Sequence, residues 1–277
     1  MQIGIFAKTF SGRDPLSVLR QAAAAGFDGV QYNMACSGLA AMPDVIAPEA
    51  AEEIASAAAA TQQAVFAVSA TYNMIHPDPA VRRAGERRLS VIAAACAQMG
   101  TTLMTLCTGT RDAEDQWRHH PGNSSPDAWR DLLQAFEVAI PIAEAHGLTL
   151  GVEPELANVV NSAAAARRLI GELKTGSVRI VLDPANLAER ASPAERRRII
   201  AEAVDVLAGH IVMAHGKDRT PDGDVAAPGL GIIDFDHFFC CLQAAGFSGP
   251  VVAHGFDETE AVGVARFLTQ TCDRLPS

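Results

Sequence analysis

The sequence alternates between short β-rich runs and longer alanine-rich amphipathic runs, and this alternation limits the folds open to it. Eight such pairs follow one another along the chain. A strand followed by a helix, repeated many times, is typical of a parallel sheet, because parallel strands need a crossover connection. The predicted strands fall at 2–7, 29–33, 64–70, 103–107, 149–153, 178–182, 210–214 and 250–254.

Eight strand–helix units in about 250 residues match the size of a closed (β/α)8 barrel. We therefore predict an α/β fold, a single TIM barrel, with one domain spanning residues 1–277. The alternative is an open doubly wound sheet. It is disfavoured because no G-x-G-x-x-G motif follows the first strand, where a dinucleotide-binding fold would place one.

The composition narrows the classes of partner. A formal net charge of −10 disfavours a nucleic acid, since such proteins usually present a basic face. The apolar runs are much shorter than the ~20 residues of a membrane span, and the start of the sequence has no signal-peptide pattern. The six cysteines form no C-x-x-C pair and are expected to be reduced thiols. We expect a cytoplasmic protein that binds a small molecule, with a homo-oligomer left open.

Metal-competent side chains close the last four predicted strands. The active site of a (β/α)8 barrel lies at the carboxyl ends of its strands, so these side chains should meet. Carboxylates are costly to bury without a partner, and a divalent ion would compensate them. Each residue alone could instead cap a helix or pair with a lysine, but four on successive strands favour a metal. They are Glu153, Asp183, His215 and His254.

Three segments resemble a known family. "GVEPE" (151–155), "LDPANL" (182–187) and "HGKD" (215–218), followed by "PGLGIIDFDHFFCCLQAAGFSGPVV", are similar to the xylose isomerase-like TIM-barrel superfamily of sugar isomerases and epimerases. The resemblance covers most of the chain. It implies one divalent ion, Mn²⁺ as first choice with Co²⁺, Zn²⁺, Mg²⁺ or Fe²⁺ as alternatives, and a sugar-like substrate.

The residue that closes the eighth strand departs from the family pattern. The resemblance carries over Glu153, Asp183 and His215 as metal ligands, but His254 stands where the family usually has Glu. With a bound divalent ion, two carboxylates and two neutral imidazoles give a net formal charge of about zero, where three carboxylates and one imidazole would give about −1, so the ion should be a stronger Lewis acid. The change also removes one of the two carboxylates that the epimerases use as acid and base. Isomerisation and dehydration therefore stay open beside epimerisation.

Further residues near the strand ends are predicted to serve catalysis or substrate binding. Glu153, Glu155, His254 and Lys217 are the candidates for proton transfer and charge stabilisation. Glu155 and Lys217 could equally form a rim ion pair. Trp117, in the long loop 114–129, could stack on a sugar ring or pack back on the barrel. The candidate substrate-binding residues are Tyr72, Asn73, His76, Thr108, Trp117, Asn158 and Asn186.

Together these features predict a divalent-metal-dependent isomerase or epimerase of a sugar, keto-sugar or cyclitol. It would abstract a proton next to a carbonyl through a metal-stabilised enediolate. A metal-dependent lyase or dehydratase is the main alternative. An abasic-site endonuclease-like phosphodiesterase is less favoured, because strands 1 to 4 end in few acidic or histidine side chains. A binding protein on an inactive barrel is the third alternative, supported only by His254.

Overall fold

The structure, a computed structural model, describes residues 1–187 and 191–275. Eight parallel strands close into a barrel in the order β1-β10-β7-β6-β5-β4-β3-β2. The predicted α/β fold, a single (β/α)8 TIM barrel, is confirmed. The barrel strands are β1 Ile3–Phe6, β2 Gly29–Tyr32, β3 Ala64–Ser69, β4 Leu103–Cys107, β5 Thr149–Glu153, β6 Val178–Leu182, β7 Ile211–Gly216 and β10 Val251–Ala253. After β7, two strands of two residues each form a small antiparallel hairpin. They are β8, Asp218–Arg219, and β9, Val225–Ala226.

A helix follows each barrel strand. The helices are α1 Pro15–Ala25, α2 Pro48–Thr61, α3 Pro79–Cys96, α4 Pro126–Ala145, α5 Ala163–Leu173, α6 Pro193–Val206, α7 Phe235–Ala244 and α8 Ala261–Asp273. Several begin with proline directly after a capping residue, where the missing N–H of proline costs nothing. Ser125 and Ser192, for example, each accept a hydrogen bond from the backbone of the first turn.

The barrel interior changes character along the strands. One small apolar cluster within it comprises Ala67, Leu103, Val181, Met213 and Val252. The larger core lies between the strands and the surrounding helices. Buried polar side chains such as Gln31, Thr105 and His215 also occur on the strands. A buried polar side chain needs a hydrogen-bond partner, so these residues mark the part of the barrel interior where the contacts are not purely apolar.

No helix in the described ranges is both long and apolar enough to cross a bilayer.

Candidate metal centre at the barrel mouth

Four side chains converge at the carboxyl ends of the strands, which we call the barrel mouth. Glu153 is the last residue of β5, Asp183 follows β6, His215 lies in β7 and His254 follows β10. One ligand-type atom from each lies within 4.8 Å of those of the other three. Glu153, Asp183 and His215 are buried, and His254 is partly exposed. The structure thus brings together the four residues predicted to bind a metal, and ligation itself stays a prediction.

Two atoms of this cluster lack a hydrogen-bond partner among the described residues. They are Asp183 Oδ2 and His254 Nε2, both buried and 3.4 Å apart. The other carboxylate oxygen of Asp183 accepts from the backbone N–H of Ala185 at 2.8 Å. Buried polar atoms without partners are rare and need an explanation. A set of two carboxylates and two imidazoles is a donor set that a divalent transition metal accepts, so these residues fit the predicted ion.

Charges around the cluster shift the pKa of several groups. Burial, reinforced by the charge of Glu153, raises the pKa of Glu155 to about 8. Burial alone would lower the pKa of Lys217, but Asp183, Glu155 and Glu153 together raise it. Burial and the neighbouring His215 lower the pKa of His254. Lys217 is therefore held as a cation and His254 as a neutral imidazole.

Asn186 connects two of the charged groups. Its Nδ2 donates to Glu153 Oε1 at 2.9 Å, and its Oδ1 accepts from Lys217 Nζ at 2.9 Å. Lys217 Nζ also lies 3.8 Å from Asp183 Oδ2. Asn186 is fully buried, so the structure places this predicted substrate-binding residue between Lys217 and Glu153 rather than on the cavity wall.

A cavity of about 350 Å³ opens above the cluster. Glu153, Glu155, His215, Lys217 and His254 line its charged side. Two aromatic side chains, Phe6 and Trp117, also line the cavity, and the Phe6 ring lies 6.3 Å from that of His254. A charged region beside apolar surface is typical of sites that bind small organic molecules.

The loop that carries Trp117 is held by polar contacts. Arg118 forms an ion pair with Asp112 at 2.6 Å, and Thr110 Oγ1 donates to the carbonyl of Arg118 at 2.9 Å. The Trp117 side chain remains half exposed at 51% and lines the cavity. Its predicted stacking on a sugar ring is compatible with this position and stays a prediction.

Tyr72 packs against the helix that follows β3. Its ring packs on Gly85 of α3 so tightly that a Cβ at Gly85 would lie 2.1 Å from a ring carbon. The side chain is buried and does not line the cavity. A role of Tyr72 in substrate binding stays a prediction that this position does not favour, because the ring fills space against α3.

Four other predicted substrate-binding residues also lie outside the cavity wall as the described residues form it. Their side chains form hydrogen bonds with backbone groups of the loops after β3, β4 and β5. Asn73 exchanges hydrogen bonds with both backbone groups of Thr110, at 2.8 and 3.0 Å. His76 contacts the carbonyl of Ala113 at 3.0 Å. Thr108 Oγ1 accepts from the Val160 N–H at 3.1 Å, and Asn158 Oδ1 accepts from the Gly109 N–H at 2.7 Å.

Two further polar residues of the site were missed from the sequence. Gln31 in β2 lines the cavity and contacts His215, with 2.9 Å between Gln31 Oε1 and His215 Nε2. Thr105 in β4 accepts from Gln31 Nε2 at 3.0 Å. A glutamine inside a short buried strand, "GVQY", was the available signal, because an uncharged polar residue on a buried strand implies a buried partner.

Asp218 organises the loop after β7. Its fully buried carboxylate accepts hydrogen bonds from the backbone N–H groups of Arg219, Gly229, Gly231 and Ile233, at 2.8 to 3.0 Å. Four N–H donors compensate a buried negative charge. This carboxylate is therefore committed to the loop and is not a further member of the cluster.

These features define the class of the protein, a parallel (β/α)8 barrel with a mixed carboxylate and imidazole cluster at the carboxyl ends of its strands. A family model described as xylose isomerase-like TIM barrel matches residues 19–271. The chain belongs to this family.

Several solved structures are similar over nearly the whole chain. One is the apo form of the 3-keto-D-glucoside 4-epimerase YcjR from E. coli, with a TM-score of 0.77 and 20% identity over 98% of this chain and 99% of that one. A D-psicose 3-epimerase from Clostridium cellulolyticum H10 has a TM-score of 0.76 and 15% identity, over 98% and 99%. The IOLI protein with a bound zinc atom has a TM-score of 0.75 and 17% identity, over 100% of both chains. No curated protein matches the sequence. At these identities the similarity shows a shared fold.

Proposed function

We propose that this protein is a divalent-metal-dependent isomerase or epimerase of a sugar, keto-sugar or cyclitol. It would remove a proton from the carbon next to a carbonyl group. One observation carries the proposal: Glu153, Asp183, His215 and His254 converge beneath a cavity that also exposes Glu155 and Lys217. This combination offers donors for one ion and, beside them, a spare carboxylate and a spare cation.

The four converging side chains would hold the ion, with Mn²⁺ as the first choice and Co²⁺, Zn²⁺, Mg²⁺ or Fe²⁺ as alternatives. When bound, such an ion supplies Lewis-acid polarisation of a carbonyl or hydroxyl oxygen of the substrate. The unpartnered Asp183 Oδ2 and His254 Nε2 support this assignment. So does the zinc atom that the IOLI structure, of the same fold, binds.

The remaining charged groups would handle protons and charge. Glu155 is the carboxyl group left over once the four donors are engaged, and it faces the cavity. In its ionised form, which predominates above its pKa of about 8, it can take a proton from the substrate carbon. Lys217 is held cationic beside it and oriented through Asn186, so it can bind a substrate oxygen that gains negative charge. Trp117, which also lines the cavity, would pack against the sugar ring.

The similar structures support a sugar as the substrate class. YcjR and the Clostridium protein are named as epimerases of a keto-glucoside and of psicose. The net charge of −10 argues against a phosphodiester substrate carried on a nucleic acid. We extend the substrate class to this chain because its cavity, like theirs, would lie at the carboxyl ends of the strands of the same barrel.

A lyase or dehydratase is the second candidate, and His254 favours it. His254 stands where a carboxylate would serve as the second acid or base of an epimerase, and the ammonium group of Lys217, which lines the cavity, can protonate a hydroxyl group as it leaves after proton removal. The two reactions share the first step and differ in whether water is lost.

Solvent exchange tests the proposal. The protein is stripped with a chelator, reloaded with Mn²⁺ or Co²⁺, and incubated in D2O with a panel of keto-sugars and keto-cyclitols. We expect deuterium at the carbon next to the carbonyl, detected by NMR, only in the reloaded protein. A product lighter by one water identifies the lyase. Exchange that continues after exhaustive chelation would contradict the metal role.

The variant Glu155→Gln gives the matched control for the base. It keeps the size of the side chain and leaves all four donors in place, so the ion should still bind. Exchange at the substrate carbon should fall by about 100-fold or more, within the range for loss of a general base. Unchanged exchange would assign proton removal to another group.

A further inference from the structure

We infer that Gln31 is a positioning residue that sets the tautomer of His215 and thereby leaves one imidazole nitrogen free for a metal ion. The inference rests on the proposed metal site and concerns a residue outside it. Gln31 Oε1 lies 2.9 Å from His215 Nε2, and both side chains are buried, at 5% and 3% exposed. Each therefore depends on the other for a hydrogen bond.

The direction of this hydrogen bond follows from a third residue. Gln31 Nε2 donates to Thr105 Oγ1 at 3.0 Å, which turns the amide oxygen of Gln31 toward His215. An amide oxygen only accepts, so His215 must donate through its Nε2–H. The chain of contacts runs from β4 through β2 to β7, and three different strands thus determine which imidazole nitrogen carries the proton.

The other nitrogen of His215 faces a carboxylate. Nδ1 lies 3.2 Å from Glu153 Oε1, which already accepts from Asn186 at 2.9 Å. In a neutral imidazole with Nε2–H, Nδ1 and Glu153 Oε1 are both acceptors, and two facing acceptors repel unless a cation lies near both. This arrangement suits metal ligation through Nδ1.

Without Gln31, the imidazole has a different preference. His215 would gain most by donating Nδ1–H to the Glu153 carboxylate, since a charged acceptor makes the stronger hydrogen bond. That tautomer occupies the lone pair that the ion needs. Gln31 removes the competition by accepting the single proton on the opposite side of the ring.

The tautomer can be measured directly. In metal-stripped, ¹⁵N-histidine-labelled full-length protein at a pH where His215 is neutral, NMR distinguishes Nε2–H from Nδ1–H. The His215 signals are assigned by their loss in His215→Gln. We expect Nε2–H in the wild type and a shift toward Nδ1–H in Gln31→Leu. An Nδ1–H tautomer in the wild type, or the same tautomer in both proteins, would overturn the inference.

Metal affinity gives the second readout. Titration with Co²⁺ should show binding about 10- to 100-fold weaker in Gln31→Leu, the range for groups that orient metal ligands. Gln31→Glu keeps an acceptor and should keep the Nε2–H tautomer and tight binding. The matched control is Gln63→Leu, another buried glutamine, which contacts the carbonyl of Phe27 and should leave Co²⁺ binding unchanged. Equal binding by wild type and Gln31→Leu would contradict the inference.

Two further results separate this inference from the proposed function. If Gln31→Leu does not fold, Thr105→Val replaces it, and a mixture of His215 tautomers is expected because the amide of Gln31 loses its anchor. Retention of pure Nε2–H in a folded Thr105→Val would count against the chain of contacts. If the wild type binds no Co²⁺, the proposed metal site is wrong. The NMR result still decides whether Gln31 sets the tautomer of His215.

Discussion

The two halves of the barrel mouth use the same kinds of residue differently. Polar side chains follow the strands both in the half formed by β1–β4 and in the half formed by β5–β7 and β10. In the second half, Glu153, Asp183, His215 and His254 point at one another. In the first half, Asn73, His76 and Thr108 bind the backbone of neighbouring loops. A position at a strand end therefore predicts that the residue lies near the barrel mouth. It does not predict the direction in which the side chain points.

The loops explain the difference. The connections after β3 and β4 carry buried backbone groups, such as the N–H and carbonyl of Thr110, that need partners which helices and strands do not supply. The connection after β6 begins with a short 3-10 turn, Pro184–Asn186, that Asp183 caps with one oxygen. The second oxygen of Asp183 is left for the cluster. A strand end becomes available for chemistry where the following turn needs few side-chain hydrogen bonds.

The largest effect is expected in the half that carries the cluster. Asp183→Asn keeps the shape of the side chain but removes one of two negative charges available to an ion. We expect divalent metal affinity to fall by more than about 100-fold, beyond the loss typical of outer-sphere partners. Mn²⁺ binding followed by electron paramagnetic resonance measures it. Affinity close to that of the wild type would show that Asp183 is not a metal ligand and would contradict the difference between the two halves of the barrel mouth.

A residue of the other half should behave in the opposite way. Asn73→Ala leaves the buried N–H and carbonyl of Thr110 without their partner. We expect a loss of about 1–3 kcal/mol in the free energy of unfolding and unchanged Mn²⁺ affinity. Urea denaturation and metal titration of the same sample check both. Weakened metal binding with undiminished stability would show that the two halves do not divide in this way.

Asp131 offers a pH-dependent test of loop anchoring in the first half. It pairs with Arg82 at 2.6 Å and with Arg111 at 2.8 Å, which ties the loop after β4 to α3 and α4. Burial alone would raise the pKa of Asp131, but the two guanidinium groups lower it further than burial raises it. Its folded-state pKa thus lies below the unfolded value. The stabilisation is full above the unfolded pKa and is lost as the pH falls through the folded one.

The expected size of this effect is up to about 1 kcal/mol at neutral pH, because the pair is partly solvated. Asp131→Asn should lose that amount at pH 7 and lose nothing below both pKa values. Denaturation curves across the acid range measure the difference. An equal loss at every pH would assign the effect of the substitution to packing rather than to charge.

The smallest effect is expected at Tyr72. Its hydroxyl is buried without a partner in the described ranges, so Tyr72→Phe should leave stability unchanged or raise it by about 1 kcal/mol. Because the ring packs on α3, the KM for substrate should not change. Steady-state kinetics on whichever keto-sugar proves active provides the check. A raised KM would support a role of Tyr72 in substrate binding.

The sequence was sufficient for the architecture. All eight strands were predicted from the alternation of patterns, which works because each unit is local and parallel order then puts every carboxyl end at one mouth. The same geometry made the meeting of Glu153, Asp183, His215 and His254 predictable. The family, first seen as a resemblance, is confirmed by the match over 19–271.

Side-chain direction and partner choice were not predictable. Tyr72 follows β3 closely, yet its ring packs against α3, because the alternation of side-chain faces no longer fixes the direction of a side chain beyond the strand end. Gln31 was missed because its partners, Thr105 and His215, come from distant parts of the chain. The buried bonds of Asn158 and Asp218 likewise depend on loops whose paths only the folded chain defines.

The single carboxylate of Asp218 makes the path of the loop after β7 independent of the side chains that the loop exposes. It gathers the loop after β7 through main-chain donors alone, at Gly229, Gly231 and Ile233. The exposed side chains of that loop, Val225 and Leu230, take no part in those bonds. They can therefore be exchanged while the loop keeps its path.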